Sequence, residues 1–209
     1  HNWTIVRPYI TYAENRLQLG VLEKEDWLYR ALHGRTIVFD KDIYPMTTTM
    51  TYGQDVAKGI MGLLGKSDTL GEAYHITADR SITWSDVLAI YLDVLEDHLG
   101  KRPRVCLQKL DPFVAWKPAF YQRRYDRLFD RQFDNAKIAA HVDHDTFVDV
   151  EQGLTSCLEQ FLKNPVFRSI RWKQEALKDR VTKDRVSWNE ISGWKQKILY
   201  LKKRYVCNL

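Results

Sequence analysis

Short β-branched runs alternate with longer segments of helical period along most of this chain, and no other feature narrows its fold as much. "WTIVRP" (3–8) reads as a buried strand that stops at Pro8, whose nitrogen cannot donate to a ladder. "LGVLEKEDWLYRALHG" (19–34) predicts a helix with Leu19, Leu22, Trp27 and Ala31 apolar and Gly34 just past its end. "RTIVFD" (35–40) predicts a short strand, and the Thr-rich "YPMTTTMTYG" (44–53) an extended segment. "QDVAKGIMGLLGK" (54–66) predicts a helix with Val56, Ile60, Leu63 and Leu64 on one face. "EAYHITA" (72–78) alternates as a strand. "TWSDVLAIYLDVLEDHLG" (83–100) carries the clearest helix signal: Thr83 and Asp86 form a capping box, Val87, Leu88, Tyr91, Leu95 and Leu99 make the stripe, and Gly100 ends it. "RVCLQK" (104–109) predicts a strand, and "VEQGLTSCLEQFLK" (150–163) an amphipathic helix stopped before Pro165. Residues 120–140 are mixed, with Arg123, Arg124, Arg127 and Arg131 set among aromatics. The alternation places the chain in the α/β class; the irregular connections give no strand order.

The 209 residues suffice for one domain with a core, or one domain and an appendage. Hydrophobic residues make up 44%, which excludes a disordered chain, while 28% charged residues and a mean hydropathy of −0.44 fit a soluble protein. Apolar runs fall short of the roughly 18–20 residues a membrane helix needs. The chain opens "HNWTIVRPYI", without an initiator Met or a basic leader, so it reads as a fragment with His1 as a cloning remnant. Cys106, Cys157 and Cys207 are odd in number and far apart, which suits a reducing cytoplasmic setting without a disulfide frame or zinc spacing. Charge is unevenly spread. Residues 163–209 hold 13 basic and 4 acidic side chains, against 19 and 23 in the rest, so a mildly acidic body carries a basic tail.

Gly59-x-x-Gly62-x-x-Gly65 has the spacing of a dinucleotide-binding loop. Such a loop must follow a strand directly and open a helix, so that the pyrophosphate sits at the helix N-terminus. These glycines lie well inside a helical pattern that began at Gln54, and no second strand ending in an acid follows. They read instead as small residues that let a helix pack closely on a neighbour.

Several segments resemble, in order, the C-terminal half of the extended short-chain dehydrogenases/reductases, the NAD-dependent epimerase/dehydratase group. "TIVRPYITYAENR" resembles the group's apolar strand, Arg-Pro and Tyr-Gly-Pro segment. "MTYGQDVAKGIMGLL" resembles its Phe-Thr-Tyr-Val-Asp-Asp-Val-Ala helix start, and "GEAYHITADRSITWSDVLAIYLDVLEDHLG" its late strand and Thr-capped helix. "FDNAKIAAHV" and "VEQGLTSCLEQFL" resemble its closing Asp-x-x-Lys segment and final helix. The resemblance spans residues 3–163. It implies the C-terminal part of a Rossmann-like doubly wound sheet plus a small substrate-binding lobe, with residues 164–209 as a basic helical extension.

The same resemblance implies NAD or NADP in the intact protein and a sugar or nucleotide-sugar substrate. It also implies that this chain alone neither binds the coenzyme tightly nor turns over. The glycine loop is missing, and so is the Tyr-x-x-x-Lys pair, for no Tyr here has Lys four residues on. Pro8, Tyr9, Ile10 and Thr11 match the loop whose backbone faces the nicotinamide. Tyr12, Arg16 and Phe39 fall on the substrate side. Ala13 and Glu14 replace the group's Gly and Pro after that tyrosine. Thr48 stands where many nucleotide-sugar enzymes have a pyrophosphate-gripping arginine; it can donate one hydrogen bond but brings no charge, which weakens the case for a nucleotide diphosphate sugar. Arg123 or Arg124 is the candidate for a second phosphate contact, against a plainer reading as solvated arginines.

Other candidates read as structural. His141 and His144 with Asp143 and Asp145 lack a further ligand cluster. His75 reads as a core histidine, Cys106 and Cys157 as core thiols, and Ser81, Ser85 and Ser156 lack a nucleophile elbow. Trp188, Ile191, Trp194, Ile198, Leu201 and Tyr205 recur at helical spacing among lysines, and are expected to dock on the body with the lysines outside. Single-stranded nucleic acid through 188–209, or a membrane surface, are the alternatives for that stretch. A non-catalytic RNA- or protein-binding module on the same fold is the alternative for the whole. The strands at 3–8 and 72–78 are expected in one parallel sheet with an exposed edge, which invites self-association.

Overall fold

A computed structural model describes residues 2–206, so His1 and Cys207 lie outside the described residues. The elements run β1 (Ile5–Pro8), β2 (Ile10–Tyr12), α1 (Lys24–Leu32), β3 (Ile37–Asp40), β4 (Thr47–Thr48), β5 (Met50–Tyr52), α2 (Gly53–Leu63), β6 (Ala73–Ile76), β7 (Ile82–Thr83), α3 (Trp84–Leu99) and β8 (Val105–Gln108). The helices α4 (Leu110–Trp116), α5 (Phe120–Gln122), α6 (Ala136–Ala139), α7 (Val150–Lys163), α8 (Trp172–Thr182) and α9 (Trp194–Leu201) complete them, with π-type turns at Arg123–Arg127 and Lys202–Val206. β1 pairs with β6, β2 with β5 and β3 with β8, all parallel, and β4 with β7 antiparallel. Parallel pairs joined through helices make this an α/β fold.

The main core lies between α1, α3, α7 and β3 and contains Trp27, Phe39, Trp84, Tyr91 and Leu154. Trp27 stacks on Tyr91 at 4.6 Å between ring centroids. Local signals in the sequence account for the helices that build it. Thr83 and Asp86 form the capping box of α3, and Gly100 closes it at φ +70°. Asp149 accepts from the Glu151 N–H at 2.9 Å to start α7. A smaller core of Val56, Leu63, Tyr74, Ile76 and Ile138 sits under α2. Residues beyond Lys163 add a third, with Trp172, Ala176, Ile191 and Tyr200.

The structure corrects several expectations. β1 pairs with β6 in parallel, in the register Ile5 opposite Ala73, but every residue of β1 is exposed rather than buried. Its only strand partner among the described residues is β6, so its other edge is open. The helix expected over 19–34 begins at Lys24. Leu19 and Leu22 instead bond to each other across a tight turn that needs Gly20 at φ +60°, and the Glu23 N–H donates to Asp26 to open α1. α2 buries Asp55, Val56, Gly59 and Leu63, whereas Ile60 and Leu64 are exposed. A Cβ at Gly59 would overlap Ile76 of β6, and one at Gly62 would overlap Val142, so these two are close-packing residues as expected. Gly65 is different: it follows the helix in a left-handed conformation with nothing near it.

His75 is half-buried, its ring 5.1 Å from that of Phe133, and is not a core residue. Cys157 is buried, and burial pushes its thiol up to about 12; Cys106 is only half-buried in β8. The tail does not dock by its apolar stripe. Trp188, Trp194, Ile198, Leu201 and Tyr205 are exposed, and of that series Ile191 alone is buried. Docking falls instead to α8, through buried charges: Glu175 and Asp179 pair with Arg30 of α1, and Glu175 also with Arg35. The tail's acids are thus spent inside, and of its bases Lys178 and Arg204 are buried as well, while Lys195 and Lys202 face out.

Candidate functional site

The end of β1, the start of β2 and the π-type turn at 123–127 bring a polar cluster together around Tyr9. Tyr9 is half-buried, its ring 4.8 Å from Phe133, and its hydroxyl donates to Asp126. Arg127 donates from Nη1 to the same hydroxyl at 3.3 Å and from Nε to the Gly20 carbonyl at 3.1 Å. Its guanidinium lies between the Tyr9 and Trp84 rings, 5.8 and 5.7 Å from their centroids. Burial lowers the pKa of Arg127, and the charge of Arg16 adds to that, against the opposing pull of Tyr9. Arg131, more open to water, donates to Asp126 Oδ1 at 3.3 Å and to the Tyr125 carbonyl at 2.6 Å. Arg16 reaches the Thr11 hydroxyl at 3.4 Å from the exposed side.

Arg127 and Arg131 both pair with the Asp126 carboxylate, and Arg16 brings a third guanidinium to the edge of the cluster. Its chemistry is that of an anion-binding rim with a tyrosine fixed at its centre. The turn is pinned to the β4 strand: the Thr47 N–H donates to Asp130 at 2.8 Å and the Arg131 N–H to the Thr47 carbonyl at 3.0 Å.

The predicted residues divide accordingly. Tyr9 and Thr11 face this cluster, and Arg16 stands at its edge; Pro8 is exposed beside it and Ile10 points into the core. Tyr12 is buried against Gly153 of α7, and burial raises its pKa while leaving its hydroxyl without a partner. Phe39 is fully buried against Gly20 and Tyr44. Thr48 is buried, with no partner for its hydroxyl. Arg123 is buried and ion-paired with Asp40, so it is not a solvated arginine; Arg124 is exposed over Phe120 and Tyr125. Asp126, Arg127 and Arg131 were not singled out as site residues from the sequence. A signal existed: Arg123, Arg127 and Arg131 recur every fourth residue, a spacing that sets side chains on one side of a helical turn.

The Gly59-x-x-Gly62 series does not form a cradle for a pyrophosphate. Gly59 and Gly62 already face packed side chains, and among the described residues no other glycine series opens a helix after a strand. His144 is bonded to Asp79 at 3.0 Å, and no group of three His, Cys, Asp or Glu among the described residues is arranged to hold a metal.

No family model matches the sequence, and no curated protein matches it. Solved structures do match the fold. The UDP-glucuronic acid 4-epimerase of Bacillus cereus, in complex with UDP-glucuronic acid and NAD, superposes at a TM-score of 0.55 and 17% identity, over 77% of this chain and 45% of its own. The UDP-glucose 4-epimerase of Thermus thermophilus, in complex with NAD, gives 0.54 and 18%, over 79% and 48%. An epimerase from Methanothermobacter thermautotrophicus gives 0.56 and 14%, over 76% and 43%. The chain therefore spans less than half the length of these three structures, and its fold is similar to that part of their Rossmann-like fold.

Proposed function

We infer that this chain is the substrate-side portion of an NAD(P)-dependent sugar or nucleotide-sugar epimerase, dehydratase or reductase, whose coenzyme-binding half it does not contain. The observation that carries this is the parallel β1–β6 pair with its open β1 edge, in a chain matching less than half of such enzymes. Residues 1–163 form that portion and 164–209 an extension. The more open Arg16 and Arg131 supply guanidiniums for a diphosphate, which the uncharged Thr48 does not, while the buried Arg127 holds the Tyr9 hydroxyl in place. The coenzyme, when held by the intact protein, would exchange hydride with the sugar; this chain supplies only substrate contacts.

The test is a titration of the isotope-labelled chain followed by NMR. UDP-glucuronic acid or UDP-glucose is expected to shift the amides of 9–11 and 126–131 saturably, while NAD shifts nothing. Arg131→Gln, a half-exposed position, should weaken the sugar-nucleotide titration without altering the spectrum elsewhere. Saturable shifts confined to other regions, or none at all, would sink this reading.

A further inference from the structure

Helix α9 carries its apolar stripe outward. Trp194, Ile198 and Leu201 recur at helical spacing and Tyr205 continues the line, with exposures of 67%, 54%, 40% and 57%. The same turns bury Tyr200 and Arg204 instead. The Tyr200 hydroxyl donates to Asp179 Oδ2 at 2.7 Å and accepts the Val186 N–H at 3.2 Å. A polar bond to α8 and one to the segment that follows it thus set the rotation of α9 and hold its hydrophobic face in water. Trp188, at 49% exposure, widens the patch: the Lys197 ammonium lies 5.1 Å from its ring centroid. Lys195 sits 5.8 Å from the ring of Trp194.

Charge around the patch has one sign. Residues 185–206 contain Arg185, Lys195, Lys197, Lys202, Lys203 and Arg204, and a single acid, Glu190. Glu190 is turned inward, to Arg35 at 3.4 Å and the Tyr29 hydroxyl at 3.1 Å. What faces solvent is a stripe of indole and aliphatic side chains flanked by lysines. Aliphatic groups decide between the two polyanions that such a surface could take. Bases stack on aromatic rings, but Ile198, Leu201 and Val206 offer no stacking face and do offer surface to hydrocarbon. No described helix is long and apolar enough to cross a membrane, so any insertion is shallow and in the plane of the surface.

We propose that α9 and the turn around Trp188 form a docking face for an anionic lipid surface, with Trp194, Ile198 and Leu201 entering the headgroup boundary and Lys195, Lys197 and Lys202 meeting lipid phosphates. This face is independent of the sugar-nucleotide reading.

The experiment is co-sedimentation of the full chain with vesicles of phosphatidylcholine alone and of phosphatidylcholine mixed with phosphatidylserine. Pelleting is expected with the mixed vesicles only, weakening as salt is raised. Trp194→Ser/Ile198→Ser/Leu201→Ser should abolish it, with an unchanged circular dichroism spectrum because all three side chains are exposed. Lys195→Gln/Lys202→Gln should weaken partitioning by roughly fivefold per charge removed. The proposal is overturned if the chain stays in the supernatant at low salt, or pellets equally with neutral vesicles. It is also overturned if the triple variant pellets like the parent. A gel shift with single-stranded RNA that the triple variant loses, without vesicle binding, would reassign the face to nucleic acid.

Discussion

Arg30 is fully buried, and its fate shows how charge builds this molecule. Its Nη1 lies 2.8 Å from Glu175 and 2.7 Å from Asp179, and its Nε donates to the Thr36 carbonyl at 2.8 Å. Arg35 reaches Glu175 at 2.8 Å, and Lys178 pairs with Glu175 while donating to the Asp26 carbonyl at 2.7 Å. Burial alone would push the Glu175 carboxyl up; the Lys178, Arg30 and Arg35 cations outweigh it and hold the carboxyl below its usual range. Removing one member of such a buried cluster strands the others, at a typical cost of about 3–5 kcal/mol. Glu175→Gln is therefore expected to lower the unfolding free energy read from urea titrations by that order at neutral pH. The sign of the pH dependence follows from the depressed pKa. The contribution of Glu175 is complete above the ordinary glutamate pKa and is lost as pH falls through the lower folded value, so the gap between parent and variant should close in acid. A gap that is constant from neutral to acidic pH would show that Glu175 does not act by its charge. None of this cluster was legible in the sequence, where each charge reads as solvated: Arg30 and Glu175 stand 145 residues apart, and a buried pair is recognised only when both partners are placed.

Legibility at the scale of elements tracked local chemistry. α3 and α7 were visible because caps and apolar stripe agree within each segment. α8 was not, because its buried face is Glu175, Lys178 and Asp179 with Ala176 and Leu177, and such a helix shows no apolar period. α2 was visible, but its inward face was misassigned, since the side that packs is the side with glycine. There the missing side chain lets the helix approach β6, and Ile76 fills the space. Gly59→Ala would gain about 1 kcal/mol of helix propensity, but the added methyl would overlap Ile76, and overpacking typically costs about 1–3 kcal/mol. A net loss of stability is expected, and it should be smaller in an Ile76→Ala background, which lacks the Cγ2 that the added methyl would overlap. Thermal melts of the two single variants and the double variant read the coupling; additive effects would mean that α2 and β6 are not in the close contact seen here.

At the scale of the whole molecule, the ordered local patterns were enough to recognise a partial epimerase-like fold, while the orientation of the tail depended on pairings that no local pattern carries. The recognisable part leaves a consequence at its border. β1 presents an unpaired ladder edge, and Ile5 and Val6 are exposed on its two faces. Beside it lies a cleft of about 500 Å³, where Val6, Ile60, Leu63, Leu64 and Leu70 stand alongside the polar Asn2, Thr4, Lys66 and Ser67. An edge strand with apolar faces is a template for pairing, and proteins that keep such edges monomeric place charge on them. We therefore expect concentration-dependent self-association of the chain in sedimentation velocity. Val6→Lys should return it to the monomer without loss of fold, since the side chain already meets solvent and the introduced ammonium resists desolvation between paired edges. The outward stripe on α9 is the competing interface, and the two separate cleanly: Trp194→Ser/Ile198→Ser/Leu201→Ser should leave association through β1 intact. A dimer that survives Val6→Lys and dissolves in the triple variant would place self-association on the extension. A chain that stays monomeric at high concentration would mean that the β1 edge, though open, is too short and too twisted to pair.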